Sequence, residues 1–301
     1  MRPNWFIPVS AMGAMIFVGW ACSPVERVAD IPPPWEAQEP QTHEPVALAP
    51  EALPRAWERI GSSVRGKAIQ AMTVGNGTRR VYVIGSIHGD EPEAREAAAL
   101  LPEALEAQKW LAGATIRVIR DMNPDGSATG ARTNTRGVDL DRNWPTKDFF
   151  ARDKNGRRAS SELETATVHK DMLAFKPDVV VVLGSSVVGP VVRFQGPVRR
   201  WALEFASAAR RVDPKWRFQP DPSEPVPGSL ESLAGRDMGK AVLAIELGRE
   251  RDAMTNAKAL AEGLHGLTEA AAKTAATTKP GATAKPAKAA AKPPGAKGAA
   301  K

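Results

Sequence analysis

Runs of apolar residues alternate with helical patterns across the middle of the chain. The apolar runs are Val81–Ile87, Thr115–Ile119, Val179–Leu183, Val187–Phe194 and Ala241–Leu247. The helical patterns between them are Glu91–Leu111, Ser161–Phe175, Pro197–Arg211 and Asp252–Lys273. Short apolar runs are typical of strands buried on both faces, and strands that alternate with helices indicate an α/β sheet. We therefore expect a single α/β domain with a mixed, mainly parallel twisted sheet and helices on both faces.

The ends of the chain differ in composition from this domain, which we place at residues 56–272. Residues 1–22 are typical of an export signal, because Arg2 precedes an uncharged, mostly apolar stretch. Cys22, the single cysteine, follows that stretch and is similar to the lipidated first residue of bacterial lipoproteins. We expect an exported protein, either anchored to a membrane through lipid on Cys22 or secreted into the cell envelope. Residues 23–55 are rich in proline and predict an extended linker.

The positive charge of the chain is concentrated at its C-terminal end. The formal net charge is +7, and residues 273–301 contain seven lysines and no acidic residue, so the rest of the chain is formally neutral. This composition predicts a disordered Ala/Lys/Pro tail. The tail could touch an anionic envelope surface or have no specific partner. Because the N-terminus is typical of an exported protein, we expect no nucleic acid partner.

Candidate chemistry follows the first apolar run of the domain. His88 and Glu91 lie between that run and the helical pattern that Pro92 begins, so both fall on a turn from strand to helix. Open α/β sheets place their ligands at the carboxyl ends of strands. An imidazole and a carboxylate three residues apart on such a turn can hold one metal ion.

Four more segments extend the pattern. They are the turn 123–126 with sequence NPDG, the loop 132–145 with sequence RTNTRGVDLDRNWP, the glycine turn 227–230, and Glu246 near the end of the last apolar run. A carboxylate within an apolar strand is costly unless it has a task or a partner. We interpret Asn123 and Asp125 as structural turn residues, and Tyr82 as a core residue.

The order of these motifs over residues 57–265 resembles the zinc carboxypeptidase family, and most closely its bacterial members that trim cell-wall peptides. The resemblance implies one zinc ion, with His88 and Glu91 as two of its ligands. It implies that Asp139 accepts the ring proton of His88 and fixes its tautomer. It also implies that Glu246 is the general base for a zinc-bound water.

The same resemblance gives roles to arginines of the polar loop. Arg142 corresponds to the clamp for the terminal carboxylate of a peptide, since a guanidinium binds a carboxylate through two hydrogen bonds. Arg132 corresponds to the residue that stabilises the oxyanion, although Arg136 is close enough in sequence to compete for that role.

Two departures from the family pattern affect function. The third zinc ligand is a histidine in the family, whereas this chain has Gly184, so a zinc ion could be weakly bound or absent. The residue before the clamp arginine is Asp141 instead of asparagine. Its charge would repel a free carboxylate and could suit a substrate that carries an amine there, such as a diaminopimelate side chain.

Three functions therefore remain open. The first is a zinc metallocarboxypeptidase-like hydrolase that acts on C-terminal amide bonds, including those of peptidoglycan stem peptides. The second is a catalytically impaired homologue that binds cell-wall peptides without efficient hydrolysis. The third is a deacylase of the aspartoacylase type, which shares the turn that carries His88 and Glu91.

Overall fold

A computed structural model describes residues 56–277 of the chain, apart from 107, 195–197, 221–223 and 250. The predicted signal segment, the linker, Cys22 and the tail beyond residue 277 lie outside the described residues. The last helix ends at Thr277, past the predicted domain boundary at residue 272. Among the described residues, no helix combines the length and hydropathy needed to cross a bilayer.

One twisted sheet of eight strands forms the centre of the domain. The strands are β1 (Glu58–Ser62), β2 (Ala68–Gly75), β3 (Arg79–Gly85), β4 (Ala114–Ile119), β5 (Val179–Ser186), β6 (Val191–Phe194), β7 (Arg217–Pro220) and β8 (Ala241–Gly248), and their spatial order is β1-β2-β4-β3-β5-β8-β6-β7. The four central strands, β4, β3, β5 and β8, are mutually parallel. Antiparallel pairs join β1 to β2, β2 to β4 and β6 to β8, which makes the sheet mixed, as predicted.

Helices cover both faces of the sheet. They are α1 (Pro92–Glu106), the single turn α2 (Pro124–Ser127), α3 (Leu163–Phe175), α4 (Arg199–Ala209) and α5 (Ala253–Thr277), with a π-helix at Glu231–Asp237. The alternation of β3 shows how two cores arise. Val81 and Val83 pack into the larger core with residues of α1, α4 and α5, whereas Tyr82 and Ile84 pack into the smaller core with residues of α3 and the π-helix.

Sequence and structure agree on the central strands and on the four long helices. The pattern of apolar runs did not predict the three peripheral strands β1, β2 and β7. It also extended β6 too far, because residues 187–190 form a loop before the strand begins at Val191. Val187 and Val188 are exposed there, so this apolar run was not evidence of a buried strand over its whole length.

The sheet topology determines where a site can form. β3 has β4 on one side and β5 on the other, and both neighbours are parallel to it. The chain reaches β4 through α1 on one face of the sheet and reaches β5 through α3 on the other. The carboxyl end of β3 is therefore a topological switch point, where open α/β sheets leave a crevice.

We predict that Gly263→Ala destabilises the domain, because α5 approaches α4 closely at this glycine. A Cβ atom at position 263 would lie 2.4 Å from the ring of Phe205, which is fully buried. Overpacking typically costs about 1–3 kcal/mol, and the better helix propensity of alanine offsets about 1 kcal/mol of it. Urea unfolding should show a net loss. Gly113→Ala is the control, since a Cβ there meets no atom within 4 Å and should leave stability almost unchanged.

Candidate active site

The first turn of the site connects β3 to α1 and holds His88 and Glu91 side by side. The Nδ1 atom of His88 lies 3.2 Å from Oε1 of Glu91. Gly89 lets this turn approach the NPDG turn, because a Cβ at Gly89 would lie 2.1 Å from the carbonyl carbon of Gly126. No side chain fits in that contact, so the glycine is a structural requirement of the turn.

The NPDG turn begins α2 and supports the polar loop. The Oδ1 atom of Asn123 accepts a hydrogen bond from the amide of Gly126 at 3.0 Å, and its Nδ2 atom donates to the carbonyl of Arg132 at 3.3 Å. Asp125 accepts a hydrogen bond from the amide of Arg65 at 2.9 Å. Both side chains are buried. The structure gives Asn123 and Asp125 the structural roles expected of turn residues.

Buried amides fix the polar loop itself. Asn134 accepts hydrogen bonds from the amides of Arg136 and Val138 at 3.0 and 3.1 Å and donates to Glu162 at 2.8 Å. Asn143 donates to the carbonyl of Asn155 at 2.7 Å and accepts from the amide of Glu162 at 3.1 Å. Because both asparagines are nearly or fully buried, these bonds hold the charged residues between them in one geometry.

His88 is bonded on both ring nitrogens. Its Nε2 atom lies 3.0 Å from Oδ1 of Asp139, opposite the Nδ1 contact with Glu91. Burial alone would lower the pKa of His88, but hydrogen bonds to Asp139 and Glu91 outweigh it and raise the pKa to about 9. Burial raises the pKa of Asp139, yet His88, Arg132 and Arg142 together lower it to about 2.

Gly184 lies between two carboxylates at the end of β5. Its partner in the parallel pair with β8 is Glu246. A Cβ at position 184 would lie 3.4 Å from Oε2 of Glu91 and 3.5 Å from Oε2 of Glu246, which are ordinary contact distances. A side chain at this position would therefore extend toward the His88–Glu91 pair. Burial raises the pKa of Glu246, and the charge of Glu91 raises it further, against smaller effects of Arg193, His88 and Arg132.

Two of the three arginines of the polar loop that were predicted to contact substrate have carboxylate partners within the loop. Arg132 lies 3.5 Å from Asp139 and is half-exposed. Arg142 donates to Oδ2 of Asp141 at 2.8 Å. Asp141 in turn accepts a hydrogen bond from the amide of Leu230 at 3.1 Å. The group expected to clamp a terminal carboxylate is thus already paired with a carboxylate of its own loop.

A cleft of about 370 Å³ connects these groups. The residues that line it include His88, Glu91, Arg132, Asp141, Gly184 and Glu246. Neither Arg136 nor Arg142 lines this cleft, and Arg136 lies 3.6 Å from Glu162. The geometry therefore distinguishes the two candidates for oxyanion stabilisation and places only Arg132 at the cleft.

Glu231 and Arg193 were not predicted from the sequence. Glu231 begins the π-helix and lines the cleft. Burial raises the pKa of Glu231 to about 7, and the neighbouring charge of Asp141 contributes to that rise. No sequence signal marked Glu231, whereas Arg193 is a charge within a predicted apolar strand, the same signal that identified Glu246.

The residues present fit a zinc ion in part. Nδ1 of His88 lies beside the carboxylate of Glu91, and Asp139 contacts the opposite ring nitrogen, which is the arrangement of a histidine ligand with its supporting carboxylate. Catalytic zinc normally has three protein ligands. Among the described residues, no group of three or more histidine, cysteine, aspartate or glutamate side chains is arranged to hold a metal ion. The zinc site is therefore incomplete.

Comparison with known proteins defines the class of this domain. Residues 54–185 match the sequence model of the zinc carboxypeptidase family. An uncharacterized protein of Zymomonas mobilis is 32% identical over 98 residues, which cover 29% of this chain and 25% of that protein. The match thus spans about a quarter of the relative's length.

Solved structures share the fold at low sequence identity. Bovine thrombin-activatable fibrinolysis inhibitor aligns with a TM-score of 0.60 at 14% identity, over 74% of this chain and 91% of that one. A metallo-carboxypeptidase of Burkholderia cenocepacia gives a TM-score of 0.57 at 20% identity, over 74% and 66%. The murein-tripeptide amidase of Escherichia coli O157 gives 0.53 at 18% identity, over 73% and 93%.

Fold and sequence therefore agree on a metallocarboxypeptidase-type domain. Residues 54–185 resemble the zinc carboxypeptidase family in sequence and the whole domain shares its fold, which confirms the resemblance and the fold class predicted from the sequence. The family match ends at Ser185, so it includes His88, Glu91 and Gly184 but not Glu246.

We predict that His88 of the zinc-free protein titrates near pH 9, because Asp139 and Glu91 stabilise the imidazolium. The folded-state pKa lies above the ordinary value of 6.5, so these bonds stabilise the fold fully below that value. Their contribution is lost as the pH rises through about 9. NMR titration in the presence of a chelator should show this pKa, and Asp139→Asn should lower it.

Unfolding in urea tests the same linkage. Asp139→Asn should cost about 1–3 kcal/mol at pH 6 and clearly less at pH 10. Asp213→Asn is the control, because Asp213 pairs with Arg251 at 2.7 Å and arginine keeps its charge over this range. A cost of Asp139→Asn that did not change with pH would contradict a charged His88.

Proposed function

We propose that this domain binds the C-terminal part of a peptide in its cleft and hydrolyses it weakly or not at all. The observation that carries the proposal is the glycine at position 184. The backbone there directs a Cβ between Glu91 and Glu246, yet no side chain is present to complete the metal site. Two ligands would hold zinc less tightly and orient its water less firmly than three.

The charged residues around Gly184 favour a second candidate, a working zinc hydrolase. His88 keeps its Asp139 partner, and Glu246 lines the same cleft as Arg132. A protein that only binds peptides does not require a carboxylate in the strand beside the metal site. If a group outside the described residues or the peptide itself supplied the missing ligand, the domain could act on C-terminal amide bonds.

The paired arginine supports a particular class of ligand. A free carboxylate that approaches Arg142 must compete with Asp141, and Glu231 adds a further acidic group to that side of the cleft. A ligand that brings an amine together with its carboxylate can bind Asp141 and Arg142 at the same time. Diaminopimelate side chains of peptidoglycan stem peptides have both groups. Among the solved structures of similar fold is a murein-tripeptide amidase, which is consistent with this proposal.

The chain ends support a location at the cell envelope. The export-type N-terminus and Cys22 favour a lipoprotein anchored to a membrane, and the proline-rich residues 23–55 would then separate the domain from the lipid surface. The lysine-rich tail would carry its charge toward anionic envelope polymers. Such a location would bring the cleft to stem peptides.

Zinc content tests the incomplete metal site. In the full-length protein, we expect wild type to retain little zinc after dialysis and Gly184→His to retain about one ion per chain. Gly184→Ala is the matched control, because it adds the Cβ without a ligand and should behave like wild type. Tightly held zinc in wild type would contradict the proposal and favour the hydrolase, and peptide hydrolysis should then be measured directly.

Acylation of the amine tests the class of ligand. We expect a diaminopimelate-ended peptide to bind about tenfold more tightly than the same peptide with its side-chain amine acetylated. Asp141→Asn should remove most of that difference, because the neutral amide no longer pairs with the amine. Asp148→Asn, outside the cleft lining, is the control. Equal binding of the two peptides to wild type would exclude the amine contact.

A further inference from the structure

Arg193 is a charged residue on β6, the strand that pairs with the cleft-lining part of β8. It lies on β6 directly opposite Ala244 of β8 in an antiparallel pair, so both side chains are on the same face of the sheet. Ala244 lines the cleft. Glu246, two residues further along β8, is on that face as well, and β6 places Val191 opposite it.

The neighbours of Arg193 along its strand face the other way. Val192 and Phe194 are buried in the larger core, which lies on the opposite face. Because side chains alternate along a strand, Arg193 lies on the face of the sheet that carries Glu246. It is the one charged residue of β6. The side chain opposite it is small, because Ala244 ends at Cβ. A guanidinium at Arg193 can thus extend over position 244.

The side chain of Arg193 carries a donor that has no partner among the described residues. Its Nε atom is buried and has no hydrogen-bond partner. Arg193 lies near enough to Glu246 to lower the pKa of that carboxyl against the larger, opposing effects of burial and Glu91. The two side chains nevertheless form no ion pair. A buried donor without a partner costs about 1–3 kcal/mol, and more when it is charged.

The other arginines near the cleft either have a carboxylate partner or are exposed to solvent. Arg132 is paired with Asp139, and Arg142 is paired with Asp141. Arg249 lines the cleft but is exposed at its rim. Arg193 does not itself line the cleft but lies beside it, and within the part of the chain that the structure describes it is the arginine near the cleft with a buried Nε–H that has no partner.

We propose that Arg193 binds a carboxylate on the side chain of the ligand's terminal residue and so gives the cleft a preference for acidic termini. The inference rests on the proposed peptide-binding function and specifies its ligand. A carboxylate is the chemical group that matches a guanidinium in shape and charge. Diaminopimelate also satisfies this requirement, because its side chain carries a carboxylate beside the amine.

The test is a comparison of two peptides that differ only in one charge. Acetyl-Ala-Glu and acetyl-Ala-Gln, with the terminal residue in either configuration, are titrated calorimetrically into the full-length protein in the presence of a chelator. For at least one configuration, we expect the glutamate peptide to bind about tenfold more tightly, as a charge-assisted hydrogen bond would give. Arg193→Met should reduce this ratio to about one and leave the affinity for the glutamine peptide unchanged. Arg193→Lys should retain part of the preference.

The controls separate recognition from stability. Arg211→Met removes an arginine that pairs with Glu262 of α5, away from the cleft, and should keep the wild-type ratio. Equal binding of both peptides to wild type would overturn the role of Arg193 and leave the peptide-binding function standing. An equal loss of affinity for both peptides in Arg193→Met would show a structural role instead. Failure of both peptides to bind wild type would overturn the preference assigned to Arg193, and the diaminopimelate-ended peptide would then show separately whether the cleft binds peptides.

Discussion

The parallel register of β3, β5 and β8 is the constraint on which the site depends. Ile84 pairs with Val182, and Val182 pairs with Ala244, so the three strands are aligned at their carboxyl ends. Two residues further along the same parallel pair, Gly184 lies opposite Glu246. Because side chains alternate along a strand, a shift of one residue in either pair would turn Glu246 into the core. The apolar interiors of these strands therefore fix the positions of the charged groups at their ends.

The polar loop depends on a different kind of interaction. Its charges are held by buried amide side chains and not by apolar packing, with Asn134 and Asn143 each bonded to Glu162 or its backbone. Buried hydrogen-bond networks of this kind are costly when incomplete, and that cost restricts the loop to one arrangement. The loop brings Asp139 to His88 and Asp141 to Arg142. Sheet and loop together place charges of both signs around one cleft.

Much of the fold was predictable because the central strands are apolar runs bounded by turn residues. The peripheral strands were not, since β1 and β7 are short and largely exposed and leave no hydrophobic pattern. Within the site, His88, Glu91 and Glu246 could be placed together from their positions at strand ends. The pairing of Arg142 with Asp141 also follows from adjacency in sequence, but its consequence for a ligand carboxylate required the geometry.

The positions of Glu231 and Arg136 relative to the cleft could not be predicted from the sequence. Glu231 belongs to a π-helix, and nothing in its local sequence indicates that it turns toward the cleft. Arg136 is four residues from Arg132 in sequence, but only Arg132 lines the cleft, whereas Arg136 lies beside Glu162. Which members of a charged loop reach a site depends on contacts with distant segments, and a single sequence does not record those contacts.

Two separate features disfavour zinc in the cleft, the absence of a side chain at Gly184 and the protonation of His88. Metal binding requires a neutral imidazole, whereas His88 between Glu91 and Asp139 has a pKa of about 9 and carries a proton at neutral pH. Zinc must therefore displace a proton that two carboxylates stabilise, and it gains only two protein ligands when it does so. Both effects weaken zinc binding in the same direction. The positive charge of the His88 imidazolium balances the negative charge of Glu91. The pair therefore needs no metal ion to offset the carboxylate. Peptide binding, as proposed above, requires none of the metal chemistry that these two effects disfavour.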